Sequence, residues 1–176
     1  MNSNLSAIQL ARIAGFSPIV TTASSQHTEF LKSLGATHVF DRNADVKTIQ
    51  EAFPTPVALT FDTIGVASTQ SLAFEVLTTP SPVPGALLAL VLPLDPAVEE
   101  KNGDNKVSVH GVYGSSHAFK DLSIPFYQVV GKWVEEGKYV PNHVQLVKGG
   151  LAAVPEAFDL SRKGVSGVKI VIRPQE

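Results

Sequence analysis

Strand-like runs alternate with helix-like runs from Ser6 to Val112, and glycines stand at several of the changes between them. This alternation constrains the fold more than any other feature. Strands separated by helices form parallel sheets joined by right-handed crossovers. Ala7, Ile8, Leu10, Ala11 and Ala14 make a helical apolar stripe that Gly15 stops. Pro18 to Ala23 reads as a short strand. Ser24 or Ser25 can cap a helix from Gln26 to Leu34, ended by Gly35. Ala36 to Phe40 is the next strand, and Asp45 can cap a helix that reaches Phe53 before Pro54 and Pro56.

The pattern then repeats. Val57 to Phe61 is a strand that ends in Asp62-Thr63-Ile64-Gly65, and Ala67 to Leu77 is a helix. Gly85 to Leu92 is almost continuously apolar, which predicts a central strand covered on both faces. Pro93 to Lys106 is polar and reads as an exposed loop. Val107 to Val112 is one more strand, followed by Tyr113-Gly114. In such sheets the carboxyl ends of the strands form the ligand crevice.

The tail departs from this rhythm. Phe126, Tyr127, Val130, Trp133 and Val134 give Phe119 to Gly137 a bulky apolar surface despite Pro125. A strand at Val144 to Val147, a helix from Val154 to Lys163 and a strand at Val168 to Ile172 follow, with the seam near Ser115 to Ala118.

Composition removes several chemistries. The chain has no cysteine, which excludes zinc-thiolate and iron-sulfur sites and a thiol nucleophile. Its net charge of -2 gives no electrostatic reason to expect nucleic acid. No apolar run is long enough for a membrane span, so a cytoplasmic protein is the expectation. The histidines His27, His38, His110, His117 and His143 are scattered and show no metal-ligand spacing. Ser115-Ser116 lacks the G-x-S-x-G elbow of a nucleophilic serine, and no paired carboxylates are evident.

The segments Ala7-Ile8-Gln9-Leu10-Ala11, Phe30 to Ala36 and Phe61-Asp62-Thr63-Ile64-Gly65 resemble the nucleotide-binding half of the zinc-independent medium-chain dehydrogenase/reductases. Lys148-Gly149-Gly150-Leu151 and Gly164 to Ile172 resemble the carboxyl end of that family, in its quinone oxidoreductase and fungal trans-enoyl reductase-like branch. The resemblance implies an α/β, Rossmann-like parallel sheet that lacks the family's first strand, with a carboxyl-terminal remnant of the catalytic domain. It divides the chain into a nucleotide-binding part, residues 1–116, and a tail, residues 117–176. The end of the family's glycine loop aligns with Asn4, so Asn2, Ser3 and Asn4 offer polar groups in place of glycine. Two central edges would then be open. Closure of the edges on each other, or strand exchange in a homo-oligomer, would repair them.

The same resemblance implies NADPH as cofactor, with binding weakened or lost. Ser24, Ser25 and His27 follow the strand where the adenosine ribose is read, and no acid stands directly after it. An acid there would favour the 2′-hydroxyl of NAD and repel a 2′-phosphate. The serines can equally be ordinary helix caps. Ile64 and Gly65 would lie near the cofactor on a turn positioned by Asp62. Leu90 and Val91 would offer backbone groups beside the nicotinamide, and Tyr113 would line the cleft. Ser166, Gly167 and Lys169 match a tail motif that approaches the cofactor, although Gly167 can be a turn residue and Lys169 a solvated charge. No catalytic side chain or metal ligand is assigned. Relatives transfer hydride by orienting substrate and nicotinamide. The implied function is an NADPH-dependent enoyl or quinone reductase, impaired if the substrate domain and glycine loop are absent. The alternative is a non-catalytic, oligomerising remnant. Neither nucleic acid nor membrane is expected as a partner.

Overall fold

The computed structural model describes residues 2–165 and 167–176. Helix α1 (Asn2–Ile13) leads into β1 (Val20–Thr22), and a short 3-10 turn at Ser25–His27 opens α2 (Thr28–Leu34). Then come β2 (His38–Phe40), α3 (Val46–Gln50), β3 (Leu59–Asp62), α4 (Ala67–Thr78), β4 (Leu87–Leu90), α5 (Pro96–Lys101) and β5 (Ser108–Gly111). The tail holds α6 (Lys120–Glu135), β6 (His143–Val147), a 3-10 turn at Gly150–Ala153, α7 (Val154–Lys163) and β7 (Val168–Ile172).

Local chemistry sets the boundaries. Gly35 ends α2 with φ +123°, and its missing side chain leaves room for Arg12. Asp45 caps α3 by accepting from the Thr48 amide at 2.7 Å, and that bond holds the carboxyl below its ordinary pKa. Helix α1 begins earlier than the apolar stripe suggests. Asn4 is therefore helical rather than the end of a loop. The side chains of Asn2 and Ser3 lie outside the described features.

One expectation is overturned between Pro93 and Lys106, where α5 replaces the exposed loop. Asp95 caps it through the Ala97 amide, and Pro96 supplies the helical φ of the first turn. Val98 is 1% exposed and anchors the helix in the core. Asn102 then accepts from Val107 N and donates to Val107 O, which locks the entry to β5. In α6 the helix continues through Pro125, which has no backbone N–H to donate.

Every described strand pairing is parallel. The sheets are β1-β2, β3-β4-β5 and β6-β7, each in register across its length. This is the Rossmann-like arrangement implied by the resemblance. Strand β4 is central as expected: Leu88 and Leu90 are buried on one side, while Leu87 and Ala89 are half-buried on the other. The main core joins Leu88 and Leu90 to Ile49, Phe74, Leu77 and Val98, and Val20 and Phe40 of the first sheet pack against it. The other face of that first sheet packs Ile19, Ala23 and Val39 against Leu5, Ile8, Leu31 and Leu34 of α1 and α2. The β1-β2 pair is thus held by side chains on both faces. It is not hydrogen-bonded to β3, and no described strand lies between β1 and β3. The two edges do not close on each other through hydrogen bonds, and Val20 and Phe40 pack the first sheet against the core of the second.

The tail is fastened to α1. Gln9 is 1% exposed; its amide donates to Leu5 O and Val140 O and accepts from Val140 N. The Ser6 and Tyr139 hydroxyls lie 2.7 Å apart, and Arg12 donates to Lys138 O. Much apolar surface stays uncovered beyond this clamp, including Leu122, Tyr127, Val144 and Phe158.

Candidate functional site

The carboxyl ends of β1, β3, β4 and β5 supply the segments in which most of the expected cofactor residues fall. Asp62 ends β3 and is 6% exposed. Its Oδ1 accepts from Ile64 N at 2.8 Å and Gly65 N at 3.1 Å, and its Oδ2 accepts from Thr69 Oγ1 at 2.7 Å. The carboxylate thereby folds residues 62–65 into a tight turn and ties it to the first part of α4. Gly65 takes φ +81°, and a side chain there would approach Leu92 Cβ to 2.7 Å. Glycine is needed both for the backbone angle and for the contact between the two turns.

Gln70 joins those turns directly. It is 1% exposed; its amide donates to Gly65 O at 3.0 Å and Pro93 O at 2.9 Å, and its Oε1 accepts from Asp95 N at 2.8 Å. The sequence reading passed over this residue. Its signal lies in the helical spacing: Gln70, Phe74 and Leu77 share the buried stripe of α4, and a polar residue on such a stripe must find partners.

At the end of β4, Val91 N donates to Asp62 O at 3.3 Å and Leu90 O accepts from Val112 N at 2.6 Å. The Val91 amide is therefore already engaged. Carbonyl oxygens are the groups in this segment that can still accept. The Leu90 side chain is 1% exposed and faces the core, whereas Ile64 is 47% exposed and Tyr113 is 72% exposed. At the end of β1, Ser24 occupies the cap position of the 3-10 turn without making a side-chain capping bond. Ser25 is exposed, and the half-buried His27 lies 3.2 Å from the Gln26 side chain. The nearest acid in sequence, Glu29, pairs with Lys32 at 3.6 Å.

The tail residues form a separate group. Ser166 lies outside the described residues. Val168 is the register partner of His143, whose ring centroid lies 5.1 Å from that of Phe30 in α2. This contact brings one end of the β6-β7 ladder to α2. Among the described residues, no hydrogen bond or ion pair joins Gly167 or Lys169 to the turns at 62–65 and 91–95. Two surface hollows, about 390 Å³ beside Thr78 and Lys101 and about 580 Å³ beside Asn102 and Val109, flank the starts of β4 and β5 instead. In parallel α/β sheets ligands lie at the carboxyl ends of the strands, where backbone groups of several strands line up.

Among the described residues, no group of three or more His, Asp or Glu is placed to hold a metal, and no helix is long and apolar enough to cross a membrane. The site offers hydroxyls, carbonyls and a rigid two-turn wall.

The chain is similar to known proteins over nearly its whole length. A family model described as zinc-binding dehydrogenase matches residues 5–80. The donor set above does not fit a zinc site in the described residues. The zinc-binding alcohol dehydrogenase domain-containing protein cipB of Emericella nidulans is 30% identical over 171 residues, covering 94% of this chain and 51% of that protein. Trans-enoyl reductase FMN2 of Fusarium mangiferae is 26% identical, covering 97% of this chain and 48% of its own length. The solved quinone oxidoreductase of Coxiella burnetii superposes with a TM-score of 0.70 at 23% identity, over 94% of this chain and 47% of that one. The chain spans about half the length of the curated relatives it matches.

Proposed function

Because the chain belongs to the medium-chain dehydrogenase/reductase superfamily, we propose that it is the nucleotide-binding half of an NADPH-dependent reductase of the enoyl or quinone type. The observation that carries this reading is the wall formed by Asp62, Gly65 and Gln70 at the ends of β3 and β4. Ile64, Gly65 and the Val91 carbonyl would face the nicotinamide end beside Leu90, whose own carbonyl is engaged by Val112 N, with Tyr113 at the rim. Ser24, Ser25 and His27 would meet the adenosine ribose phosphate, with no carboxylate directly after β1 to repel it. Gly167 and Lys169 would approach the cofactor from the tail, with the division of the chain near Ser116. NADPH would supply the hydride when bound. The residues here would orient the ring and limit its motion rather than exchange protons.

The open edges of β1 and β3 favour a second reading, in which copies associate by strand exchange and nucleotide binding is weak. Titration with NADPH and NADH separates the two. The first reading expects NADPH to bind more tightly than NADH and to raise the melting temperature, by about 2.7 kcal/mol of stabilisation at a hundredfold excess over Kd. No shift at millimolar NADPH refutes it. A cooperative monomer at low concentration refutes strand exchange.

A further inference from the structure

We infer that Gln70 is a positioning residue that fixes the spacing between the turn after β3 and the loop after β4, and so sets the width of the cleft at its nicotinamide end. This rests on the dinucleotide reading above. The side chain lies on α4, yet its amide group is satisfied by neither of its helical neighbours. All three of its hydrogen bonds go to backbone groups of the two strand-end loops: Gly65 O on one side, Pro93 O and Asp95 N on the other. Asp95 in turn caps α5, so the same clamp orients the start of that helix. The first loop is held independently by Asp62. Val91 and Leu92 are tied to the first loop directly, and Gln70 is the side chain that extends this tie to Pro93 and Asp95.

Position 70 lies on the same apolar stripe as Phe74 and Leu77, where a leucine would fill the space with no polar group to satisfy. A glutamine there sacrifices apolar burial and gains loop geometry. Removing it frees residues 93–95 without removing any group that would itself touch a ligand. Misplacement on the ångström scale is enough to spoil the orientation of a reacting ring.

The test compares two ligands on wild type and Gln70→Leu. NADPH engages both ends of the cleft, whereas 2′,5′-ADP engages only the adenosine end near β1. Gln70→Leu is expected to weaken NADPH by about tenfold while changing 2′,5′-ADP by less than about twofold. The emission of bound dihydronicotinamide should move toward that of free NADPH. Equal losses for the two ligands, or unchanged NADPH binding and emission, overturn the inference and leave the dinucleotide reading standing. Failure of the wild type to bind either ligand overturns both. If Gln70→Leu does not fold, Gln70→Met, which is closer in shape, takes its place with the same expected outcomes.

Discussion

Removing the Asp62 carboxylate should loosen the turn after β3 by an amount that depends on what replaces it. In Asp62→Ala, the Ile64 and Gly65 amides and the Thr69 hydroxyl lose their acceptor. Hydrogen bonds to a charged group are worth about 1.5–3 kcal/mol each. The two amides are only partly buried, so water recovers part of the loss. The expected cost is about 3 kcal/mol. Asp62→Asn is milder for a geometric reason. Its remaining oxygen can still accept from both amides, and its new amide can donate to Thr69 Oγ1 while that hydroxyl donates to Val66 O, 3.0 Å away. Only the charge assistance disappears, at about 1 kcal/mol. Thr69→Val should also cost about 1 kcal/mol, since it removes the single bond to Oδ2. Urea unfolding followed by far-ultraviolet circular dichroism measures these differences as shifts in midpoint at constant slope. Amide exchange at Ile64 and Gly65 should accelerate in Asp62→Ala but not in Asp62→Asn. Equal midpoints for the Ala and Asn variants would refute the assignment of the turn to this carboxylate.

Two other outcomes follow from the same geometry. Gly65→Ala should destabilise more than Gly15→Ala, by about 1 kcal/mol beyond the backbone strain they share. Both glycines have positive φ, but only the Gly65 position meets Leu92, and equal costs would show that the contact yields freely. The Glu75 carboxyl is held below its ordinary pKa by the Lys101 ammonium at 3.0 Å and then by Ser71. A depressed folded pKa means stabilisation that is present above the unfolded pKa and lost as pH falls through the folded value. The stability gap between wild type and Glu75→Gln should therefore narrow between about pH 6 and about pH 3, and a gap independent of pH contradicts the pairing. Both side chains are half exposed, so the effect should also weaken with salt.

Local signals marked most of the elements. The helix Val154–Lys163 and the strand Val168–Ile172 were readable to the residue, because apolar spacing marks both and Gly164 and Gly167 separate them. Helix α5 was hidden by its polar composition, although Asp95-Pro96 is a start signal and Val98 is the one residue that anchors it. The cofactor residues were found by resemblance. Asp62 was seen as a turn former, while Gln70 looked like any polar helical residue. Its importance lies in Pro93 and Asp95, more than 20 positions away.

The sequence by itself determined the alternation of strands and helices, the central place of β4 and the lack of a carboxylate directly after β1. These follow from side-chain period, apolar continuity and residue identity, all of which are local. Only the tertiary structure decided which strands meet. Strand pairing depends on backbone groups that every residue carries, so composition cannot say that β1 pairs with β2 alone and β3 with β4 alone. The same limit applies to the site. A glutamine announces its hydrogen-bonding capacity in the sequence, but only packing decides that its amide will bind two loops together.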